Sequence, residues 1–147
     1  MHEATKASRA QHVVLRRLAD ELVALLDHPS QLDGPAVHEA LCRIGSSLKR
    51  HNEMEVEGMY SQLLQHSDAE IRALAEKMIG RIKDVYDGFA TFQDAWTPER
   101  IRGNPDTFVK QARFVVEALH ETTKREEDGL YVRIDAVFEE QQRSKKT

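Results

Sequence analysis

The sequence predicts an all-α protein that folds as an up-down-up-down four-helix bundle. Four long segments carry apolar residues at alternating spacings of three and four, which is the pattern of an amphipathic helix. Breaks of a few residues, most of them with a proline, separate these segments, and helices joined by such short connections must run antiparallel. The composition, with only 7 Gly and 4 Pro in 147 residues, is typical of helices rather than of a disordered chain.

The first two helices are predicted at about residues 5–26 and 34–66. Proline follows the first helix at Pro29, where it prevents continuation, and Pro35 opens the second, in the position where its missing N–H costs nothing. The apolar stripe of the first helix consists of leucines: Leu15, Leu18, Leu22 and Leu25. The stripe of the second helix is apolar until it reaches His51 and Glu55, and it becomes apolar again after them.

The third and fourth helices are separated by a second proline-containing break. Ser67 and Glu70 form a predicted capping box at the start of the third helix, and Pro98 lies just beyond its end. A short turn through residues 101–103 leads to Asn104, the predicted N-cap of the fourth helix. An elongated coiled-coil dimer is the alternative architecture, but four separate helix starts make it less favoured.

The chain is expected to form one domain over residues 1–140, followed by a polar tail, 141–147, that frays. The net charge is −4 and no long basic run lies outside this tail, which argues against a nucleic-acid partner. No apolar run approaches the about 20 residues that cross a bilayer, and the N-terminus lacks the apolar core of a signal peptide. Because the single Cys42 cannot form an internal disulfide, a cytoplasmic location is expected.

The second and fourth helices match each other at a shift of 71 residues (126 − 55). Polar and aromatic positions coincide as well as apolar ones: Glu55 with Glu126, Gly58 with Gly129, and Tyr60 with Tyr131. Apolar spacing alone would match any two amphipathic helices. The evidence for a repeat therefore comes from the matching Glu, Gly and Tyr positions. The bundle is therefore interpreted as two helical hairpins of one design.

Ionisable side chains interrupt the apolar stripes at one level of the predicted bundle. His51 and Glu55 are four residues apart and project from the same helical face, and Glu126 interrupts the fourth stripe in the same way. His12 is about as far from the first connection as His51, so it is expected at the same level. Buried carboxylates are costly without a compensating cation. The predicted site is a metal site with the ligands His12, His51, Glu55 and Glu126, a donor set that suits iron, manganese or zinc.

These residues resemble the hemerythrin-like family, in which a four-helix bundle carries histidine and glutamate in an HHE cation-binding pattern. The segment 48–55, LKRHNEME, is similar to the second-helix motif of that family. Glu126 with Glu127 resembles its fourth-helix motif, and His12 resembles its first-helix ligand. The resemblance implies iron as the cofactor and a role in oxygen, nitric oxide or peroxide handling, or in iron sensing.

Half of the family's di-iron ligand set is absent. The third helix contains no histidine, and Thr122 stands where the family has a histidine on the fourth helix. A mononuclear site with two histidines and two glutamates is therefore favoured, although a second metal with unusual ligands stays open. The third-helix candidates for such ligands are Glu76, Tyr86 and Asp87, and His120 of the fourth helix is a weaker substitute.

Two further interpretations need no intact di-iron site. In the first, the protein is a metal-free partner-binding module in which Lys83 neutralises the two glutamates, or in which Glu126 pairs with Lys83 or Arg16. In the second, it is a small iron-dependent oxidoreductase whose open iron position faces Tyr86.

Overall fold

Five helices, four of them long, form the part of the chain that the structure describes. The computed structural model describes residues 2–145, among which no strand occurs. The helices are α1 (Glu3–Ala24), α2 (Gly34–Glu55, extended through Val56–Tyr60 and Ser61–Leu63), α3 (Ala69–Ala95), α4 (Pro98–Gly103) and α5 (Pro105–Arg125, extended through Glu126–Leu130 and Tyr131–Lys145). A single turn, Pro29–Gln31, lies in the connection between α1 and α2. The predicted all-α helical bundle is confirmed.

Contacts between α1 and α5 show how the long helices are oriented. Near the start of α1, the Thr5 hydroxyl donates a hydrogen bond to Asp135, late in α5. Near the end of α1, Asp20 Oδ1 lies 3.7 Å from Nε2 of His120, a residue much earlier in α5. Rising residue numbers in one helix therefore meet falling numbers in the other, so the two helices are antiparallel. Helix α2 packs against both α1 and α3.

Two helix starts differ in detail from the prediction. Asp68, rather than Ser67, precedes the first turn of α3, and its carboxylate accepts a hydrogen bond from the Glu70 N–H. Asn104 does occupy the N-cap position of α5, but its side chain makes no capping hydrogen bond. It donates instead to the Arg100 carbonyl. Several polar residues at each start can cap, so the sequence alone places a helix start only to within a residue or two.

The predicted turn and tail are both largely helical. Residues 101–103 form the end of the short helix α4 rather than a turn. Residues 141–145 continue α5, whereas Lys146 and Thr147 lie outside the described residues. Within residues 2–145, none of the helices combines the length and the apolar character that crossing a membrane requires.

Two apolar clusters form the core, one toward each end of the bundle. The larger cluster lies beside the α1–α2 connection and includes Leu22, Ile44, Trp96 and Phe108. The smaller cluster lies at the other end and includes Met59, Tyr60, Leu63, Ala75, Tyr131, Ile134 and Phe138. Between them lies a group of ionisable side chains that we call the polar layer: His12, His51, Glu55 and Glu126.

Gly34 begins α2 at a close approach to α4. A Cβ atom at this position would lie 2.6 Å from the Pro98 carbonyl oxygen, and a backbone atom cannot turn aside as a side-chain end does. We expect Gly34→Ala to lower the free energy of unfolding by about 1–3 kcal/mol, as measured by urea denaturation. The control is Gly80→Ala in α3, where nothing lies within 4 Å of the new methyl group. The free energy of unfolding of Gly80→Ala should rise by up to about 1 kcal/mol. Equal losses of stability in the two variants would contradict the close approach at Gly34.

Candidate metal centre

The polar layer brings together the four predicted side chains from three helices. His12 Nε2 lies 3.2 Å from His51 Nε2 and 3.1 Å from Glu126 Oε2. His51 Nε2 lies 2.7 Å from Glu55 Oε1. His12, His51 and Glu55 are 1%, 3% and 2% exposed, while the Glu126 side chain keeps 21% of its surface accessible. The nitrogen and oxygen atoms of the layer therefore converge in a largely buried space.

The two glutamates of the layer lie where α2 and α5 change to a wider helical turn. Residues 56–60 and 126–130 form π-helical turns, in which the Ser61 N–H donates to the Val56 carbonyl and the Tyr131 N–H donates to the Glu126 carbonyl. π-helical turns are often found at functional sites. The two turns occupy equivalent places in the two hairpins, which is consistent with one design for both.

Tyr131 places its hydroxyl group inside the polar layer. The hydroxyl oxygen lies 2.8 Å from Glu126 Oε2, 2.9 Å from Glu55 Oε2 and 3.1 Å from His12 Nε2. Burial, followed by repulsion from the two glutamates, raises the pKa of the Tyr131 phenol well above its usual range. Tyr60, the equivalent residue of the other hairpin, has a raised pKa for the same reasons. The Tyr131 hydroxyl thus keeps its hydrogen and offers it to one of three acceptors at a time.

Each histidine of the layer has an oxygen partner for its outer ring nitrogen, Nδ1. His12 Nδ1 lies 3.1 Å from Glu127 Oε1, and His51 Nδ1 lies 2.7 Å from Gln11 Oε1. In the tautomer in which each Nδ1 donates its hydrogen to its outer oxygen, each Nε2 has a lone pair available for a metal. The two Nε2 atoms lie 3.2 Å apart.

Glu127 is itself held by a cation. Arg16 lies 3.1 Å from Glu127 Oε1, on the outer side of the His12 ring. Burial alone would raise the pKa of the Glu127 carboxyl, but the hydrogen bonds from Arg16 and His12, together with their charges, outweigh it and lower that pKa. Glu127 is consequently an ionised partner that orients His12. The sequence pointed to Glu127 only as part of a motif and gave no sign of this contact.

The polar layer holds more acceptor atoms than hydrogens to satisfy them. In the tautomer with a hydrogen on each Nδ1, two Nε2 lone pairs and the oxygens of two glutamates share the hydrogens of two hydroxyl groups, those of Tyr131 and Ser8. Ligand atoms of His12, His51 and Glu126 all lie within 4.8 Å of one another, and Glu55 adjoins His51. Two ligand atoms about 2.1 Å from one ion are about 3.0–3.4 Å apart, close to the 3.1 and 3.2 Å between His12 and its neighbours. His12, His51 and Glu126 are therefore close enough together to share one small divalent cation.

The other candidates named from the sequence are not brought to the polar layer. Glu76 is exposed on the outside of α3. Tyr86 is half-buried and packs against the larger apolar cluster, where its ring loses contact with water favourably. The remaining side chains also lie elsewhere: Lys83 and Asp87 are exposed, His120 approaches Asp20, and Arg16 pairs with Glu127 rather than with Glu126.

Comparison with protein families identifies the domain. The profile of the hemerythrin HHE cation binding domain matches residues 4–140. The chain belongs to this family. Neither the curated proteins nor the solved structures gave a significant match. Membership of the hemerythrin HHE family shows a cation-binding domain, and the polar layer contains a candidate site for a cation, formed by His12, His51 and Glu126.

A cavity occupies the side of this hemerythrin domain where the family's second group of ligands would stand. Thr122 of α5 lines it, and α3 contributes Met78 and Ile82 rather than a histidine. The cavity measures about 530 Å³. The half of the site on α1 and α2 is thus rich in metal-binding groups, while α3 contributes aliphatic side chains together with Lys77, Arg81 and Asp84.

Proposed function

We propose that the chain binds one metal ion, iron in preference to manganese or zinc, in the polar layer. The ligands are His12, His51, Glu55 and Glu126. One observation carries this proposal: two histidine Nε2 atoms lie 3.2 Å apart next to two glutamates, and only the hydroxyl hydrogens of Tyr131 and Ser8 lie among them. A single ion is favoured over two because α3 has no histidine, and Asp84 is the only carboxylate that its described residues bring to the adjoining cavity.

The iron is proposed to serve oxygen, nitric oxide or peroxide handling, or iron sensing, in the cytoplasm. Bound iron supplies a position at which a small diatomic molecule or peroxide can bind. The cavity beside the polar layer gives such a molecule access. Reversible oxygen carriage by two irons is not favoured, since Thr122 and the apolar wall of α3 replace the second set of ligands.

A metal-free partner-binding module is the second candidate function, and one contact favours it. The Tyr131 hydroxyl can donate to Glu55 or to Glu126, which reduces the cost of holding both side chains in the layer without a cation. Lys83, which the sequence offered as the neutralising group, is exposed and forms no ion pair within the described residues.

Elemental analysis of protein purified without a histidine tag tests the metal centre. We expect about one iron per chain in the wild type, because only one half of the family's ligand set is present. His51→Ala and Glu126→Ala should each remove most of this iron, since each deletes a ligand. The control is Glu53→Ala, an exposed glutamate on α2, which should retain it.

Two results would contradict the proposal in different ways. Equal metal content in the wild type and all three variants would rule out the polar layer as the binding site. Two irons per chain with an oxo-bridged absorption band would show that the missing ligands are supplied by other groups.

A further inference from the structure

The cavity beside the polar layer has the size and lining of a small-molecule binding site. It measures about 530 Å³, and pockets for small molecules usually measure about 300–1,000 Å³. Its floor is the polar layer, and its walls are aliphatic: Leu48, Leu74, Met78, Ile82, Leu119 and Leu130. A diatomic molecule would occupy a small part of this volume, so the cavity suits a larger ligand with an apolar body.

The mouth of the cavity is cationic. Lys77 and Arg81 of α3 and Arg125 of α5 line it together with one acid, Asp84, so cations exceed acids by two (3 − 1). All four are exposed. Within residues 2–145, none of these four side chains forms an ion pair or a hydrogen bond.

The arrangement of these cations has no evident structural purpose. Lys77 and Arg81 are four residues apart on one helix, and like charges at that spacing destabilise a helix slightly. The chain as a whole is acidic, with a net charge of −4. Lys77, Arg81 and Arg125 nevertheless lie together rather than next to carboxylates that would neutralise them. A negatively charged ligand group between Lys77, Arg81 and Arg125 would convert repulsion into attraction.

We propose that this cavity binds a small organic carboxylate with an aliphatic or aromatic body. The carboxylate lies at the mouth with Lys77 and Arg81, and the body extends along the aliphatic walls toward the polar layer. An organic cation would be repelled by the mouth, and an inorganic anion would leave the walls unused. The inference rests on the proposed function only where it places the carboxylate ligand next to a metal centre. The walls and the mouth of the cavity exist whether or not a metal is bound.

Calorimetric titration with octanoate and with octan-1-ol tests the proposal on full-length protein. Both probes are straight chains of eight carbons, and only octanoate carries a negative charge. We expect saturable binding of one octanoate per chain. The double variant Lys77→Gln/Arg81→Gln should bind octanoate at least about tenfold more weakly, because it loses charge-assisted hydrogen bonds. Its affinity for octan-1-ol should stay close to that of the wild type.

A matched double variant controls for the loss of two positive charges. Arg17→Gln/Lys110→Gln removes two exposed cations from outside the cavity, and it should bind octanoate as the wild type does. Thr122→Phe, which places a ring in the cavity, should block both probes while the helical circular dichroism is retained. No saturable octanoate binding by the wild type, or equal weakening in the two double variants, would overturn the proposal.

Metal content measured on the same samples separates this inference from the proposed function. Octanoate binding by protein that takes up no iron would support the carboxylate site and contradict the metal centre. Iron uptake without octanoate binding would support the metal centre and overturn the carboxylate site.

Discussion

Ferrous iron added to metal-free protein is expected to raise the melting temperature by roughly 10 °C. A ligand that binds only the folded state, at a thousandfold excess over its Kd, stabilises that state by about 4.1 kcal/mol. In a domain of about 150 residues each kcal/mol corresponds to about 2–4 °C. The measurement is thermal unfolding followed by circular dichroism, first with chelator and then with iron restored without oxygen.

Variants of α2 show whether this stabilisation comes from the polar layer. His51→Ala should melt at the same temperature with and without iron, whereas Glu53→Ala should respond as the wild type does. The response should shrink in acid, because an imidazole must be neutral to bind a metal. A wild type that melts alike with chelator and with iron would instead support the metal-free module.

Lys83→Met tests the metal-free module in which Lys83 neutralises the two glutamates. If Lys83 neutralised the glutamates, its loss would strand them and cost about 3 kcal/mol. Because Lys83 is exposed and pairs with no described residue, we expect a change below about 0.5 kcal/mol.

Phe108→Ala is expected to lower the free energy of unfolding by about 3–5 kcal/mol. Phe108 is fully buried in the larger apolar cluster, with its ring centre 6.1 Å from that of Phe92 and 5.1 Å from that of Trp96. Truncation would remove the buried ring and leave a cavity that these neighbours fill only in part. Urea denaturation measures the loss.

The control is the same substitution six residues later in the same helix. Phe114 is 73% exposed, so Phe114→Ala should change the free energy of unfolding by less than about 0.5 kcal/mol. Phe108 lies away from the polar layer, so the folded Phe108→Ala variant should bind iron as the wild type does. Similar losses of stability in the two variants would contradict the packing described here.

Helical periodicity predicted the fold and the four side chains of the polar layer. Burial of an apolar stripe determines which face of each helix turns inward, and His51, Glu55 and Glu126 lie on such stripes. Short connections then fix the level at which neighbouring helices meet, and this placed His12 beside them. The fold and the level of these four side chains could be predicted because both depend on the spacing within each helix and on the lengths of the connections.

Tyr131 was missed because the helix changes its pitch at the site. Five residues separate Tyr131 from Glu126, and in an α-helix of about 3.6 residues per turn they would lie on different faces. The π-helical turn at residues 126–130 brings them onto one face. The only signal in the sequence was the coincidence of Tyr60 with Tyr131, and nothing in the pattern favoured Tyr131 over Tyr86.

Other features depend on how each helix is rotated about its own axis. Gln11 and Glu127 touch the outer nitrogens of the histidines across helix boundaries, and periodicity within one helix does not predict such pairs. The orientation of α3 likewise keeps Glu76 outside and turns Tyr86 toward the larger apolar cluster. The amino-acid composition of α3 alone therefore does not predict how many of its side chains reach the polar layer.

The polar layer also divides the core into two parts, which affects how the protein opens. Contiguous apolar packing makes a domain unfold as one cooperative unit, and an interruption allows each part to open by itself. Amide hydrogens around Ile134 and Phe138, in the smaller cluster, should then exchange with solvent sooner than those around Ile44. An ion bonded to α1, α2 and α5 at once would join the two parts, so that hydrogen exchange at both ends slows together.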